Sequence, residues 1–308
     1  MNLAQAVKAR LQTLPQTIHH RGYHGGLKHW AGTTYLRATR SLNGENIYSR
    51  EWDILVILDA CRNDLLREVS NEYNFLSSID AFSSQGSCTA GWMERNFSEE
   101  KRGEIEKTTY VAGNPFARSK LTGKPFVNLD HVWRYGWDSD FGGVPPRPVT
   151  DRAIDIARSN NPDRLIIHYL QPHIPFVSED SEALQLENFG GDHYNATPGD
   201  WVLVQRGERD PNVVWSDYRE TLRWVLNDVS LLVENIDASK MVISADHGNA
   251  FGEWGIYGHP GRTPLPCLTE VPWTEVSTTD SETYEPNKYD KTKQGFDLEA
   301  HLKELGYV

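Results

Sequence analysis

The segment WDILVILDACRND, residues 52–64, constrains this chain more than any other stretch. Ile54, Leu55, Val56, Ile57 and Leu58 form an unbroken apolar run that stops at Asp59. A strand with one wet face alternates apolar and polar residues. A strand without alternation is covered on both faces, as in a parallel sheet packed between helices. Three further segments repeat the theme: Thr108–Pro115, Leu165–Ile167 within DRLIIHYLQPHIPF, and Met241–Ile243 within KMVISADHGNAFGEW. Between the last two, Leu222, Val225, Val229, Leu232 and Val233 recur at helical spacing in a stretch near 213–235. Strands alternating with helices predict an α/β fold with a doubly wound, mainly parallel central sheet flanked by helices.

In such sheets ligands bind beyond the carboxyl ends of the strands. Asp59 ends the first strand, His168 and His173 flank the end of the third, and Asp246 and His247 end the fourth, with His259 twelve residues on. Parallel strands bring these ends to one edge. Each residue also has a plainer reading: Asp59 as the N-cap of a helix through RNDLL, His173 as an exposed loop histidine, His168 as buried structure. Carboxylate plus imidazole suits Zn²⁺ or Mn²⁺, whereas an all-oxygen set suits Ca²⁺ or Mg²⁺. A nucleophile is expected in SSQGSCTAGWMERNF, residues 83–97, where Ser87, Cys88 and Thr89 precede a helix beginning near Ala90. A hydroxyl or thiol there sits where helix N–H groups favour negative charge; an ordinary Ser/Thr cap is the alternative.

The remaining stretches read more plainly. Residues 1–17 predict a short amphipathic helix through Leu3, Val7, Leu11 and Leu14, limited by Pro15. HHRGYHGGLKHW reads as a polar loop with Gly22, Gly25 and Gly26 as turn formers, because its four histidines match no compact ligand spacing. Residues 177–212 read as a long insertion loop facing substrate, 276–294 as a solvated linker, and FDLEAHLKELGYV as a terminal docking helix. The division expected is 1–45 as an extension, 46–275 as the catalytic unit and 276–308 as linker and helix. A formal charge of −12 argues against nucleic acid as partner. No apolar run reaches the ~20 residues of a membrane helix, so no integral membrane segment is expected. The first residues are too polar for a secretory signal. Three cysteines cannot build a disulfide framework, which makes a reducing, cytoplasmic setting the expectation.

Taken in order, these segments resemble the sulfatase-like branch of the alkaline phosphatase superfamily. WDILVILDACRND is similar to that family's first strand with its metal-binding aspartate, here Asp59. SADHGNAFGEWGIYGHPG is similar to its last metal motif, which implies metal ligation by Asp246 and His247 and substrate contact by His259. HYLQPHIPF is similar to the segment with the substrate-binding histidine, here His173, and SCTAGW stands where the nucleophile is expected. The resemblance spans roughly 50–275 plus the tail. It implies an alkaline phosphatase/sulfatase-like fold and a metal-dependent hydrolase or transferase of sulfate or phosphate esters. The reaction would pass through a covalent enzyme intermediate and use one divalent metal ion, with Zn²⁺ or Mn²⁺ ahead of Ca²⁺ or Mg²⁺.

The departures from the family pattern are specific. Cys88-Thr89-Ala90-Gly91-Trp92 has Trp where formylglycine sulfatases carry Arg, so Thr89 ranks first as nucleophile, then Cys88, then Ser87. Asn249 replaces a glutamate, Trp254 a histidine, and Asp59 is followed by Ala60 instead of a second aspartate. Arg62 is expected to add positive charge and bind substrate, or else to be a surface helix residue. Trp92, Trp133, Trp137, Trp201 and Trp254 suggest a glycan or glycoconjugate ester, if their faces stack on sugars instead of packing inside. Two other classes stand beside this reading: a metal-binding relative without turnover, and a phosphoglycerate-mutase-like phosphotransferase, which needs a second metal set.

Overall fold

In the computed structural model, which describes residues 3–177 and 200–291, the 54–58 run lies at the centre of a seven-stranded sheet. The chain opens with three helices, α1 (Leu3–Arg10), α2 (Leu14–Arg21) and α3 (Tyr23–Thr39). Then follow β1 (Ile54–Asp59), α4 (Asn63–Val69), β2 (Asp80–Ser83), α5 (Thr89–Asn96), α6 (Arg102–Ile105), β3 (Thr108–Ala112), α7 (Phe116–Leu121) and β4 (Asn128–Asp130). Helix α8 (Pro146–Asn160) leads into β5 (Arg164–Pro172). After the 178–199 stretch come α9 (Asp200–Arg206), α10 (Pro211–Glu234), β6 (Met241–Ser244), the short pair β7 (Ala250–Phe251) and β8 (Tyr257–Gly258), α11 (Pro266–Thr269) and β9 (Glu270–Val276).

The strand order is β2-β9-β6-β1-β5-β3-β4. The five strands from β6 to β4 run parallel, and β9 and β2 add an antiparallel edge. Ile54 sits level with Leu165 on one side and Met241 on the other. This register puts Asp59, the end of β5 and the residues after β6 at one edge of the sheet. All six β1 residues are buried, as an apolar run without alternation requires. The core joins β1, β5 and β6 to the inward faces of α8 and α10, whose Val214, Tyr218, Leu222, Val225, Val229 and Leu232 carry the helical period.

Several segments differ from the sequence reading. HHRGYHGGLKHW is helical, not a loop. Only Gly22 breaks it, with φ of 75° between α2 and α3. Gly26 serves packing, since a Cβ there would lie 2.7 Å from the backbone of Thr17 and Ile18. Gly32 does the same against the carbonyl of Trp254, at 2.6 Å. Pro15 falls in the first turn of α2 and so starts a helix instead of ending one. Within the expected insertion loop, α9 and the start of α10 are helical, while 178–199 lies outside the described residues, as does the terminal FDLEAHLKELGYV segment. The stretch after β9 is fastened to α8: Tyr284 and Tyr289 donate to Asp151 at 2.6 and 2.7 Å, and Arg158 pairs with Asp280 at 2.7 Å. Among the described residues no helix is long and apolar enough to cross a membrane.

Candidate metal centre and nucleophile

Where β1 ends, the chain turns sharply. Ala60 holds a left-handed φ of 61°, a strained state for a residue with a Cβ, of a kind that gathers at functional sites. Partners lock it there: its N–H donates to Oδ1 of Asp246 at 3.0 Å, and the Tyr218 hydroxyl donates to its carbonyl. The turn leaves Asp59 fully buried, with Oδ2 accepting from Nδ2 of Asn114 at 2.5 Å. Asp59 is not a helix cap; Arg62 occupies the N-cap position of α4.

Asp246 and His247 follow β6 and are also fully buried. Oδ1 of Asp246 accepts two backbone N–H bonds, from Ala60 and from His247 at 2.8 Å, while Oδ2 has no hydrogen-bond partner and lies 3.3 Å from Nε2 of His247. Nδ1 of His247 is 2.8 Å from the carbonyl of Gly248. The carbonyl can only accept, so Nδ1 carries the proton and the Nε2 lone pair faces the carboxylates. No residue but glycine fits at 248, since a Cβ there would lie 2.2 Å from the carbonyl of Cys267. Asp59, Asp246 and His247 each offer one ligand atom, and these atoms lie within 4.8 Å of one another. Two buried carboxylates and an imidazole lone pair repel one another in a dry setting. A divalent cation turns that repulsion into coordination, so the donor set fits a metal. An orphaned carboxylate oxygen in this cradle is the observation that favours one. Among the described residues this is the one such group.

The three nucleophile candidates separate cleanly. Thr89, the first residue of α5, is fully buried and places Oγ1 3.1 Å from Nε2 of His247 and 3.4 Å from Oδ1 of Asp59. Ser87 is occupied elsewhere: its hydroxyl donates to the carbonyl of Pro260 and accepts from the N–H of Thr263, both at 3.0 Å. Cys88 caps α5, and burial pushes its thiol pKa up, away from the reactive thiolate.

Two more histidines ring the cluster. The His259 ring lies 4.7 Å from that of His247 and 5.0 Å from that of His173, centroid to centroid. Nδ1 of His173 is 2.7 Å from the carbonyl of Ile174, and Nδ1 of His259 is 2.8 Å from Oδ1 of Asn249. Burial lowers both pKa values, that of His173 to about 4 and that of His259 well below the ordinary range, where His247, His173 and Arg21 add to the effect. His168 is buried behind the centre, with Nδ1 2.6 Å from the Tyr110 hydroxyl and Nε2 4.0 Å from Asp59.

Arg62 is buried at the sheet edge and engaged by two carboxylates, Asp64 at 2.6 Å and Glu253 at 2.7 Å, and by the Asn249 carbonyl at 2.8 Å. Burial alone would lower its pKa; the two carboxylates outweigh it and raise the value. Asn114 was not legible in the sequence. Its only signal is its place just past β3, at the same sheet edge. Of the five tryptophans, Trp92, Trp133 and Trp201 are buried and Trp137 is partly so; Trp254 is exposed and stacks on Tyr35 at 5.6 Å.

No protein-family model matches this chain, and no curated protein does. Solved structures are similar to it. Its neighbours include phosphoethanolamine transferases, sulfatases and alkaline phosphatase superfamily proteins. The integral membrane lipooligosaccharide phosphoethanolamine transferase A of Neisseria meningitidis aligns with 82% of this chain and 52% of its own, at 17% identity and a TM-score of 0.48. The soluble domain of that enzyme aligns with 82% of this chain and 84% of its own, at 17% identity and a TM-score of 0.49. A protein of the alkaline phosphatase superfamily from Vibrio parahaemolyticus aligns over 81% and 64%, at 10% identity and a TM-score of 0.39. This chain therefore spans about half the length of the membrane enzyme, 52%.

Proposed function

We propose that this protein is a metal-dependent hydrolase or transferase of phosphate or sulfate esters, with Thr89 as nucleophile and Asp59, Asp246 and His247 as ligands of one divalent cation. One observation carries the reading: a buried hydroxyl on a helix N-terminus lies within 3.5 Å of ligand atoms from two of those three residues, which come from distant strands. When bound, a cation of the Zn²⁺ or Mn²⁺ type offsets the repulsion between nucleophile and ester and lowers the nucleophile's pKa.

The chain's own residues do the rest. The Thr89 hydroxyl also faces the Asp59 carboxylate at 3.4 Å, whose remaining lone pairs can take its proton. The first-turn N–H groups of α5, to which Cys88 contributes no side-chain cap, favour negative charge on the attacking oxygen. A bond forms from Thr89 Oγ1 to phosphorus or sulfur, and the bond to the leaving oxygen breaks, that oxygen taking up a proton. His173 and His259, held through Nδ1 by the Ile174 carbonyl and by Asn249, are assigned to hydrogen-bond the transferring group. Both are neutral before an anion arrives, and a bound anion favours their protonated forms. Water or an acceptor hydroxyl then displaces the group and restores Thr89.

Arg62 in this reading braces the 249–253 loop through Glu253 and Asn249, with its charge already matched by carboxylates. The substrate class is a small-molecule or glycan ester. Trp254 is the one of the five tryptophans left to meet a sugar face. A reducing compartment fits Cys61, Cys88 and Cys267, none of which is disulfide-bonded.

The test is turnover of p-nitrophenyl phosphate, phosphonate and sulfate esters with added Mn²⁺, Zn²⁺, Mg²⁺ or Ca²⁺, for the native chain and Thr89→Ala. Metal-dependent release that disappears in the variant is expected. Equal release by the two chains overturns Thr89 as the nucleophile, and no release with any metal overturns the reading and leaves a metal-binding relative without turnover.

A further inference from the structure

A chain with 43 acidic residues offers its arginines ample carboxylate partners, and most of those near the fold's interior take them, among them Arg62, Arg152, Arg158, Arg209 and Arg223. Arg10, Arg21 and Arg37, one from each N-terminal helix, have none among the described residues. All three are partly buried. Arg10 donates to the hydroxyls of Thr33 and Thr34 at 2.8 and 2.9 Å, Arg21 to Oε1 of Gln205 at 2.7 Å, and Arg37 to the carbonyl of Gly261. Each guanidinium carries five donors, so most are uncommitted, and Nε of Arg37 is buried without a partner.

His29 lies between them on α3: one turn on, Thr33 donates to its carbonyl and accepts from Arg10, and one turn before, the Gly25 carbonyl accepts from the same Gln205 that Arg21 bonds. His29 is 7% exposed, and its Nδ1 is buried with no hydrogen-bond partner. Burial first, then Arg21, Arg10 and Arg37, push its pKa down to about 3. Burial likewise drags Arg21 and Arg37 to about 10. Cations withdrawn from water without a counter-charge are costly, and a bound anion removes that cost.

The cluster adjoins the reaction centre. Gly261, held by Arg37, is two residues past His259, and a Cβ on it would lie 3.3 Å from Sγ of Cys88, the residue before Thr89. Ser87 bonds the intervening Pro260 carbonyl at 3.0 Å.

We infer that Arg10, Arg21 and Arg37, with His29 beneath them, form a second anion-binding subsite that takes a phosphate group carried by the substrate apart from the ester that Thr89 attacks. The inference rests on the ester-transfer reading for the word substrate, whereas anion binding there needs no turnover. Phosphate of this kind occurs in soluble bisphosphates and in lipid headgroups.

The experiment compares glucose 1,6-bisphosphate with glucose 1-phosphate by calorimetry on the metal-loaded native chain, Arg21→Gln, Arg37→Gln and Thr89→Ala. Vesicles of phosphatidic acid with phosphatidylcholine, against phosphatidylcholine alone, form the second arm. The bisphosphate is expected to bind about tenfold tighter than the monophosphate, through charge-assisted bonds to the extra phosphate. That advantage should vanish in both arginine variants and survive in Thr89→Ala. Arginine-dependent binding confined to phosphatidic acid vesicles supports the subsite with a lipid source. Equal affinities with no vesicle binding, or an advantage that survives both substitutions, overturns it. The variants remove an unpaired cation, so their Tm should hold or rise. A fall in Tm that Arg→Lys reverses, without restoring the bisphosphate advantage, assigns the arginines a structural role and also overturns it. Missing turnover with arginine-dependent binding intact counts against the ester reading alone.

Discussion

The hydroxyl oxygen of Thr89 lies 3.1 Å from Nε2 of His247, across 158 residues of chain. Thr89→Ala removes only that hydroxyl and a methyl at a helix start. It should lower kcat by about 10³-fold or more while metal content, read by elemental analysis, stays at the native level. Thr89→Ser should keep part of the activity. Retained turnover in the alanine variant would sink the nucleophile assignment.

Asp246→Asn should separate binding from folding. The amide oxygen can still accept from Ala60 and His247, but the orphaned Oδ2 becomes an uncharged NH₂. Metal-free protein should therefore melt no lower than native, because a buried like-charge contact is gone. The rise in Tm that saturating metal gives the native chain should be lost. A native-sized rise in the variant would exclude Asp246 as a ligand.

Cys88→Ala should leave turnover within about threefold of native, a change of under ~1 kcal/mol at the transition state. The thiol is pushed toward its neutral form and forms no bond in the Asp59–Asp246–His247 cluster. Intact-peptide mass spectrometry should find Cys88 unmodified. Activity abolished in Cys88→Ala, with a mass shift on that peptide in the native chain, would assign chemistry to the cysteine instead.

Acid should destabilise the protein early. His29 titrates at about 3 in the fold because of burial and its arginine neighbours, against ~6.5 in an unfolded chain. Between those values the unfolded state binds more protons, so the stability from neutral His29 is complete above pH 6.5 and is lost as pH falls toward 3. The slope contributed is up to about 1.4 kcal/mol per pH unit. His131, lowered to about 4 by burial and Arg134, acts in the same direction. Urea melts between pH 7 and pH 4.5 in phosphate-free buffer should show a shallower decline for His29→Gln. An unchanged slope would refute the assignment.

The legible part of the fold was the part whose pattern has one physical solution. Five apolar residues running into a carboxylate can only be a doubly covered strand reaching the sheet's edge. The 3.6-residue period of α10 was equally direct. Beyond residue 17 the N-terminal helices were not legible. Their glycines look like turn formers, yet Gly26 and Gly32 permit close contact with backbone that lies elsewhere in space. Strand β9 was hidden by Pro272, which has no N–H to donate and lies just before Trp273, the residue at which the pairing of β9 with β6 begins. Asn114 carries no sequence signal until β3 is placed beside β5.

What the amino-acid order decided alone is which side chains stand at strand ends: Asp59, His173, Asp246 and His247, because local apolar patterning sets where each strand stops. It also narrowed the nucleophile to three adjacent residues. The resemblance already ranked Thr89 first among these candidates; which of them faces the carboxylates took the tertiary structure, since consecutive residues at a helix start point in different directions and only packing sets which one does. The same holds for charge. Arg62 looked available in sequence and is matched by Asp64 and Glu253, whereas Arg10, Arg21 and Arg37 looked ordinary and have no carboxylate partner among the described residues. Ion pairing depends on distances between segments far apart in the chain, and those exist only once the chain has folded.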